Sequence, residues 1–140
     1  MLPHRKFTEQ RKKALFLIEG NTTEQFGNLR SYAAEILQTN LGTTVTIKEK
    51  LVPNKLLEES KFKRIYICWG ALKKGFLEGC RPIISLDGCH LKGPYGGILL
   101  TAIGVDANNY IYPFAYAMVD KEKKKTWQWF LELLGQNLNI

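Results

Sequence analysis

The ten residues from Tyr110 to Val119 constrain this chain most. Tyr110, Tyr112, Phe114, Tyr116 and Met118 alternate with Ile111, Ala115, Ala117 and Val119. A period of two sends successive side chains to opposite faces of a strand, so this run is expected to be β. Pro113 interrupts it, and a residue without an N–H fits an edge position or an irregular start. Two further strand-like stretches come before it. Ile83, Ile84 and Leu86 lead into Asp87, and Gly97 to Val105 is apolar and partly β-branched, ending at the turn cluster Asp106, Asn108 and Asn109. Short connections make neighbouring strands antiparallel, which predicts three of them at about 82–91, 97–106 and 110–119. After the charged turn Lys121 to Lys125, Thr126 is expected to cap a helix to about residue 138. Its buried stripe is expected to be Trp127, Phe130, Leu131, Leu134 and Leu138.

The chain before Arg81 has a helical period instead. Thr8 is expected to cap a first helix with Ala14, Leu15 and Ile18 on one stripe, and Gly20 to stop it. Thr22 and Gln25 have capping-box spacing. Phe26, Leu29, Ala33, Ile36 and Leu37 then recur helically until Asn40 and Gly42, residues that accept positive φ. Thr43 to Lys48 suggests a short strand, and Pro53-Asn54 a turn within an irregular stretch from Leu51 to Lys61. Phe62, Ile65, Tyr66, Trp69 and Phe76 predict a third helix from about Phe62 to Leu77, although Gly70 and Gly75 weaken it by ~1 kcal/mol each. These elements give an α+β chain with a mainly helical region over 1–80 and a strand-rich one over 81–140.

Composition narrows the function classes. The chain has 140 residues, is 45% hydrophobic and carries a net charge of +7. This is a globular composition with a basic surplus, for which nucleic acid is the commonest partner. Cys68, Cys80 and Cys89 are too few and too scattered for a disulfide framework. No apolar stretch is long enough to span a bilayer, and the basic start lacks the apolar run of a secretory signal.

Asp87 is the sharpest candidate for chemistry. It follows an apolar run and precedes Gly88-Cys89-His90-Leu91-Lys92-Gly93. A carboxylate inside a sheet is costly unless it is paired or holds a metal; a plain strand-end Asp-Gly turn is the competing reading. Cys89 and His90 are adjacent, so in a strand they point apart. That disfavours both a shared zinc and a Cys-His catalytic pair, and favours a buried Cys and a hydrogen-bonded His. Gly93, Gly96 and Gly97 lack the ending of a phosphate-binding loop and read as a hairpin connection. Lys92 and Tyr95 could face a phosphate there, and Lys123 and Lys124 lie in the basic run beside Trp127 and Trp129. For each of these, a solvated lysine or a packing aromatic is the plainer reading.

The run Arg81-Pro82-Ile83-Ile84-Ser85-Leu86-Asp87-Gly88-Cys89-His90-Leu91-Lys92-Gly93-Pro94-Tyr95-Gly96-Gly97 resembles the opening strand of the Mutator-like element (MULE) transposases of plants, with their Asp-Gly-(Thr/Cys)-His-Leu-Lys segment. The similarity continues through Leu100 to Asn109, Ile111 to Ala117 and Trp127-Gln128-Trp129-Phe130-Leu131. It extends upstream to Lys73-Lys74-Gly75-Phe76 and to Tyr32–Thr44, where Leu41-Gly42 stands in place of the usual Pro-Gly. The resemblance implies an RNase H-like fold, here partial, with an Asp-Asp-Glu triad whose first acid is Asp87, and Mg²⁺ or Mn²⁺ as the metal that Asp87 helps to hold in a complete site. The second and third acids are expected beyond Ile140. Asp106, in a turn, and Asp120, at a strand end, do not replace them.

The resemblance therefore implies a transposase fragment, expected to be inactive and metal-free alone, acting in the nucleus. It would bind DNA weakly and without sequence preference, have no membrane partner, and be compatible with a homo-oligomer. The alternatives are a domesticated DNA-binding or protein-interaction module and an unstable gene remnant.

Overall fold

The computed structural model describes residues 4–19, 22–50, 61–93 and 96–140. The elements run α1 (His4–Glu19), α2 (Thr22–Thr39), β1 (Thr44–Lys50), β2 (Lys61–Cys68), α3 (Gly70–Gly79), β3 (Ser85–His90), β4 (Ile98–Val105), β5 (Ile111–Val119) and α4 (Lys124–Leu138). The five strands form one antiparallel sheet in the order β1-β2-β5-β4-β3.

The three strands and the helix expected after Arg81 are present at nearly the expected positions. The region before Arg81 departs from its mainly helical reading. Residues Lys61–Cys68 are strand β2, and only Gly70–Gly79 of the expected third helix is helical. The physical reason lies in burial. Ile65, Tyr66, Ile67 and Cys68 are all buried, because β2 is covered on both faces. A strand with two buried faces has a continuous apolar run, which shows neither period. The strand expected at Thr43 to Lys48 is present as β1, so the sheet has five strands where four were expected, and β2 pairs with β5 across the change in composition at Arg81.

The two faces of the sheet bury different things. On one face α3 and α4 cover Tyr66, Cys68, Leu100, Ala102, Phe114, Ala115, Ala117 and Val119. β4 alternates strictly there, with Ile98, Leu100, Ala102 and Gly104 inward. Phe76 of α3 stacks on Phe114 with ring centroids 4.2 Å apart, and Phe130 of α4 meets Tyr66 edge-on at 5.7 Å. Each such fully buried side chain contributes roughly 1.5–3 kcal/mol. On the other face α2 sets Ile36 against Ile65 and Ile67, with Leu29, Val45, Ile47 and Tyr116 around them. α1 presents Phe7, Leu17 and Ile18 to solvent; of the stripe expected on it, Ala14 and Ile18 are exposed and Leu15 is half-buried.

Local chemistry accounts for several boundaries. Gly42 takes a φ of +78° after α2, as expected for its C-terminal stop. Thr8 is internal to α1, which begins at His4, so Thr8 is not its cap. The side chain of Thr22, Gly20, and the stretch from Leu51 to Ser60 with its Pro53-Asn54 turn all lie outside the described residues. Pro113 is on an interior strand, but β2 pairs only with Ala115–Met118, and the β4 ladder shifts register opposite Pro113. It therefore marks an irregular start and costs no bond to β2. Thr126 is in the first turn of α4 rather than at its cap, which is Lys123. The buried Thr126 hydroxyl accepts from the Lys123 N–H (2.8 Å) and donates to a nearby carbonyl, holding the turn closed. The inward stripe of α4 is Trp129, Phe130, Leu134 and Leu138. Leu131 is exposed and Trp127 half-buried, a rotation of the expected face.

Candidate functional site

Asp87 is near the middle of β3, paired with Thr101 of β4 on the sheet's outer edge. Its neighbour Gly88 faces α4. A methyl group added there would be 3.4 Å from both Leu100 Cδ2 and Trp127 Cζ2, and 3.2 Å from Glu122 Oε1. Strand alternation then turns Asp87 and Cys89 to the opposite face, which α2 covers over β1 and β2. Asp87 is exposed, so the desolvation cost expected of a carboxylate inside a sheet does not arise. Cys89 and His90 are exposed as well, and among the described residues neither side chain makes a hydrogen bond. The expectation of a buried Cys and a bonded His fails because β3 is an edge strand. Burial belongs instead to Cys68, whose thiol it pushes up; Cys80 is half-buried, and its thiol is raised by desolvation and by the Asp106 carboxylate.

The other carboxylates have local tasks. Asp106 Oδ1 accepts from the N–H groups of Asn108 (2.8 Å) and Tyr110 (2.9 Å), which builds the β4–β5 turn with Asn109 at a φ of +66°. Asp120 faces Arg64 at 3.6 Å. Glu122 accepts from the Trp127 indole N–H at 3.1 Å. Among the described residues no three His, Cys, Asp or Glu side chains are grouped to hold a metal ion. One exposed carboxylate does not fit a two-metal centre, which needs ligands on both ions, and no metal-dependent step follows from these residues alone.

The basic candidates are brought together by the register. His90 is opposite Ile98, Ile98 opposite Val119, and β2 continues past Met118 to Arg64, which is opposite Lys48. Lys92, Lys123 and Lys124 therefore emerge at one end of the sheet, all exposed. Tyr95 and Pro94 lie outside the described residues. The connection that holds Lys92 closes as a hairpin, with the Leu91 N–H donating to the Gly97 carbonyl at 2.9 Å and Gly96 and Gly97 at positive φ. Lys48 and Arg64 share this end. The sequence shows Arg64 in the basic cluster Lys61-Lys63-Arg64 but does not single out Lys48, and bringing the two together required β2 to be a strand. Trp129 underlies both, with Arg64 Cζ 5.6 Å and Lys48 Nζ 5.8 Å from its ring centroid. Asp87 lies three residues before His90 on β3, about 10 Å back from this end, and among the described residues it makes no hydrogen bond or ion pair with these lysines.

Compared with known proteins, residues 83–139 fit the family described as MULE transposase domain, fewer than half of the 140 residues. No curated protein matches this chain, and no solved structure does. The matched segment begins two residues before β3 and ends at the cap of α4, so it contains Asp87, the β3–β4–β5 ladder and the helix packed behind Gly88. Over residues 83–139 this chain is therefore similar to the Mutator-like (MULE) transposase domain family.

Proposed function

We propose that this chain serves DNA transposition as part of a polynucleotidyl-transfer enzyme, supplying Asp87 as the first of three catalytic acids and not cleaving DNA on its own. The β3–β4–β5–α4 unit is read as the opening of an RNase H-like fold of the plant type. The observation that carries the reading is Asp87 itself: an exposed carboxylate without a hydrogen-bond or ion-pair partner among the described residues, on the strand where the family segment matches. An exposed carboxylate on this strand is accessible to a metal ion held jointly with further acids. Asp106 and Asp120 are occupied in a turn and an ion pair, which leaves Asp87 short of partners for a metal-dependent reaction. Mg²⁺ or Mn²⁺ would be held only with further acids, in the nucleus, where the DNA substrate is.

The test is incubation of purified chain with labelled duplex DNA in Mg²⁺ or Mn²⁺. No nicking or strand transfer is expected. Cleavage that disappears in Asp87→Ala would mean that the chain completes a site, for instance between copies, and would overturn the inactive reading. The second reading, a domesticated DNA-binding module, is supported by the basic end of the sheet, which needs no acid to function.

A further inference from the structure

We propose that the end of the sheet formed by Lys48, Arg64, Lys92 and Lys123–Lys125 is a binding face for the phosphate backbone of duplex DNA. The inference rests on the transposase reading for its choice of polyanion, but its residues and its test are separate from Asp87.

Two electrostatic misfits converge there. Lys48 and Arg64 are directly opposed across the β1–β2 ladder, and like charges in that position repel. Their compensation is incomplete. Trp129 offers its ring to both, and Asp120 lies 3.6 Å from Arg64 Nε, which is buried without a hydrogen-bond acceptor. The second misfit is α4. Its N-terminus carries the positive end of the helix dipole, yet Lys124 and Lys125 stand in the first turn, which has no acidic residue. A fold that tolerates both at one place is less stable there than it could be, and an anion relieves both at once.

The layout selects an extended anion. From β1 to β3 the sheet crosses four inter-strand steps, about 19 Å at ~4.8 Å each. Cations at Lys48, Arg64, the α4 turn and Lys92 are spread along that width, whereas a single phosphate would engage only one of them. Duplex DNA, with one negative charge per ~1.7 Å of axis, matches such a row, and among the described residues no base-reading helix or ribbon accompanies it. Binding is therefore expected to be sequence-independent.

The experiment compares two double variants of equal charge change, Lys124→Gln/Lys125→Gln at the proposed face and Lys73→Gln/Lys74→Gln on α3, which leaves the sheet from its opposite end. Duplex affinity is measured across a salt series. The proposal expects the first pair to reduce the slope of log affinity against log salt by about 2 and to lower affinity at ~0.1 M salt on the order of tenfold, with the second pair near wild type. The first pair is also expected to melt no lower than wild type without DNA, because it removes a misfit. Lys48→Gln is a single-site check, expected to lower the slope by about 1. Equal losses in both pairs would show that net charge alone attracts DNA and would overturn the proposal, as would an unchanged slope in the first pair. Anionic vesicles that compete as well as duplex at equal phosphate would overturn the choice of partner. Asp87→Ala is carried alongside. If it alone abolishes binding, this face is wrong; if cleavage never appears but the slopes change as stated, the face stands without the transposase reading.

Discussion

Gly104→Ala is the sharpest test of how α3 is held to the sheet. The added methyl carbon would be 2.7 Å from Phe76 Cδ2 and 2.8 Å from Cε2, with Cys80 Cβ at 3.6 Å. Carbon atoms rest at about 3.5–4.0 Å, so the ring must retreat by roughly 1 Å. It has little room to do so, since its other face is stacked on Phe114 at 4.2 Å with only 12° between the planes. Overpacking of this kind costs about 1–3 kcal/mol. Without a clash the same substitution would be favourable, because glycine inside a strand is worth roughly 0.5–1 kcal/mol less than alanine. The sign therefore decides. At about 4 °C per kcal/mol for a chain of this length, the melting temperature by circular dichroism should fall by roughly 4–12 °C. Gly27→Ala in α2, where nothing is within 4 Å, should raise it slightly. Adding Phe76→Leu should recover part of the loss, so that the double variant is less destabilised than the sum of the two singles. A neutral or stabilising Gly104→Ala would refute the packing of α3 described above.

Four further outcomes are expected. Tyr66→Phe removes the hydroxyl that donates to Asn137 Oδ1 at 3.1 Å, itself tied through Nδ2 to Thr44, and should cost about 1–2 kcal/mol in urea unfolding; no loss would mean that the Tyr66–Asn137–Thr44 link is not formed. Asp87→Asn should leave stability within about 0.5 kcal/mol, since the side chain is exposed and has no partner among the described residues, and a large loss would make Asp87 structural. Burial raises Tyr66 above its ordinary value of 10 and Cys68 above 9, so both stay protonated in the fold where the unfolded chain ionises. Stability is then full below about pH 9 and falls as pH rises, approaching about 1.4 kcal/mol per pH unit for each group once its unfolded form has ionised; a flat profile to pH 11 would contradict this. A thiol reagent at pH 8 should modify Cys89 first and Cys68 only on unfolding, read by mass spectrometry after proteolysis.

The half of the chain with one buried face per strand was legible in its sequence. β4 and β5 alternate because α3 and α4 cover one side, and α4 has a stripe because it lies on that same side. Legibility failed where burial is two-sided. In β2, Ile65 to Cys68 offer no alternation, and Phe62, Ile65, Tyr66 and Trp69 happen to fit a helical spacing. That single misreading hid the strand that joins β1 to β5, and with it the opposition of Lys48 and Arg64. Asp87 was legible as a residue but not in its setting: nothing local shows that β3 is an edge strand, because the order of strands depends on partners far along the chain. The stripe of α4 was displaced for a similar reason. Trp127 and Trp129 are both large and apolar, and which one turns inward depends on packing against residues far along the chain, Tyr66 among them.

The pairing of β2 with β5 sets a timetable for synthesis. Ile65 meets Met118, a partner made more than fifty residues later. At about 5–20 residues per second, the β1–β2 ribbon waits several seconds on the ribosome before its neighbour exists. During that interval Tyr66 and Cys68 have no Ala115 or Ala117 to lie beside, and an unpaired strand edge with an apolar face is the kind of surface that self-associates. α2 is already complete by then and can shelter Ile65 and Ile67 through Ile36. The early helix thus guards one side of a strand whose other side must stay open until the last third of the chain arrives.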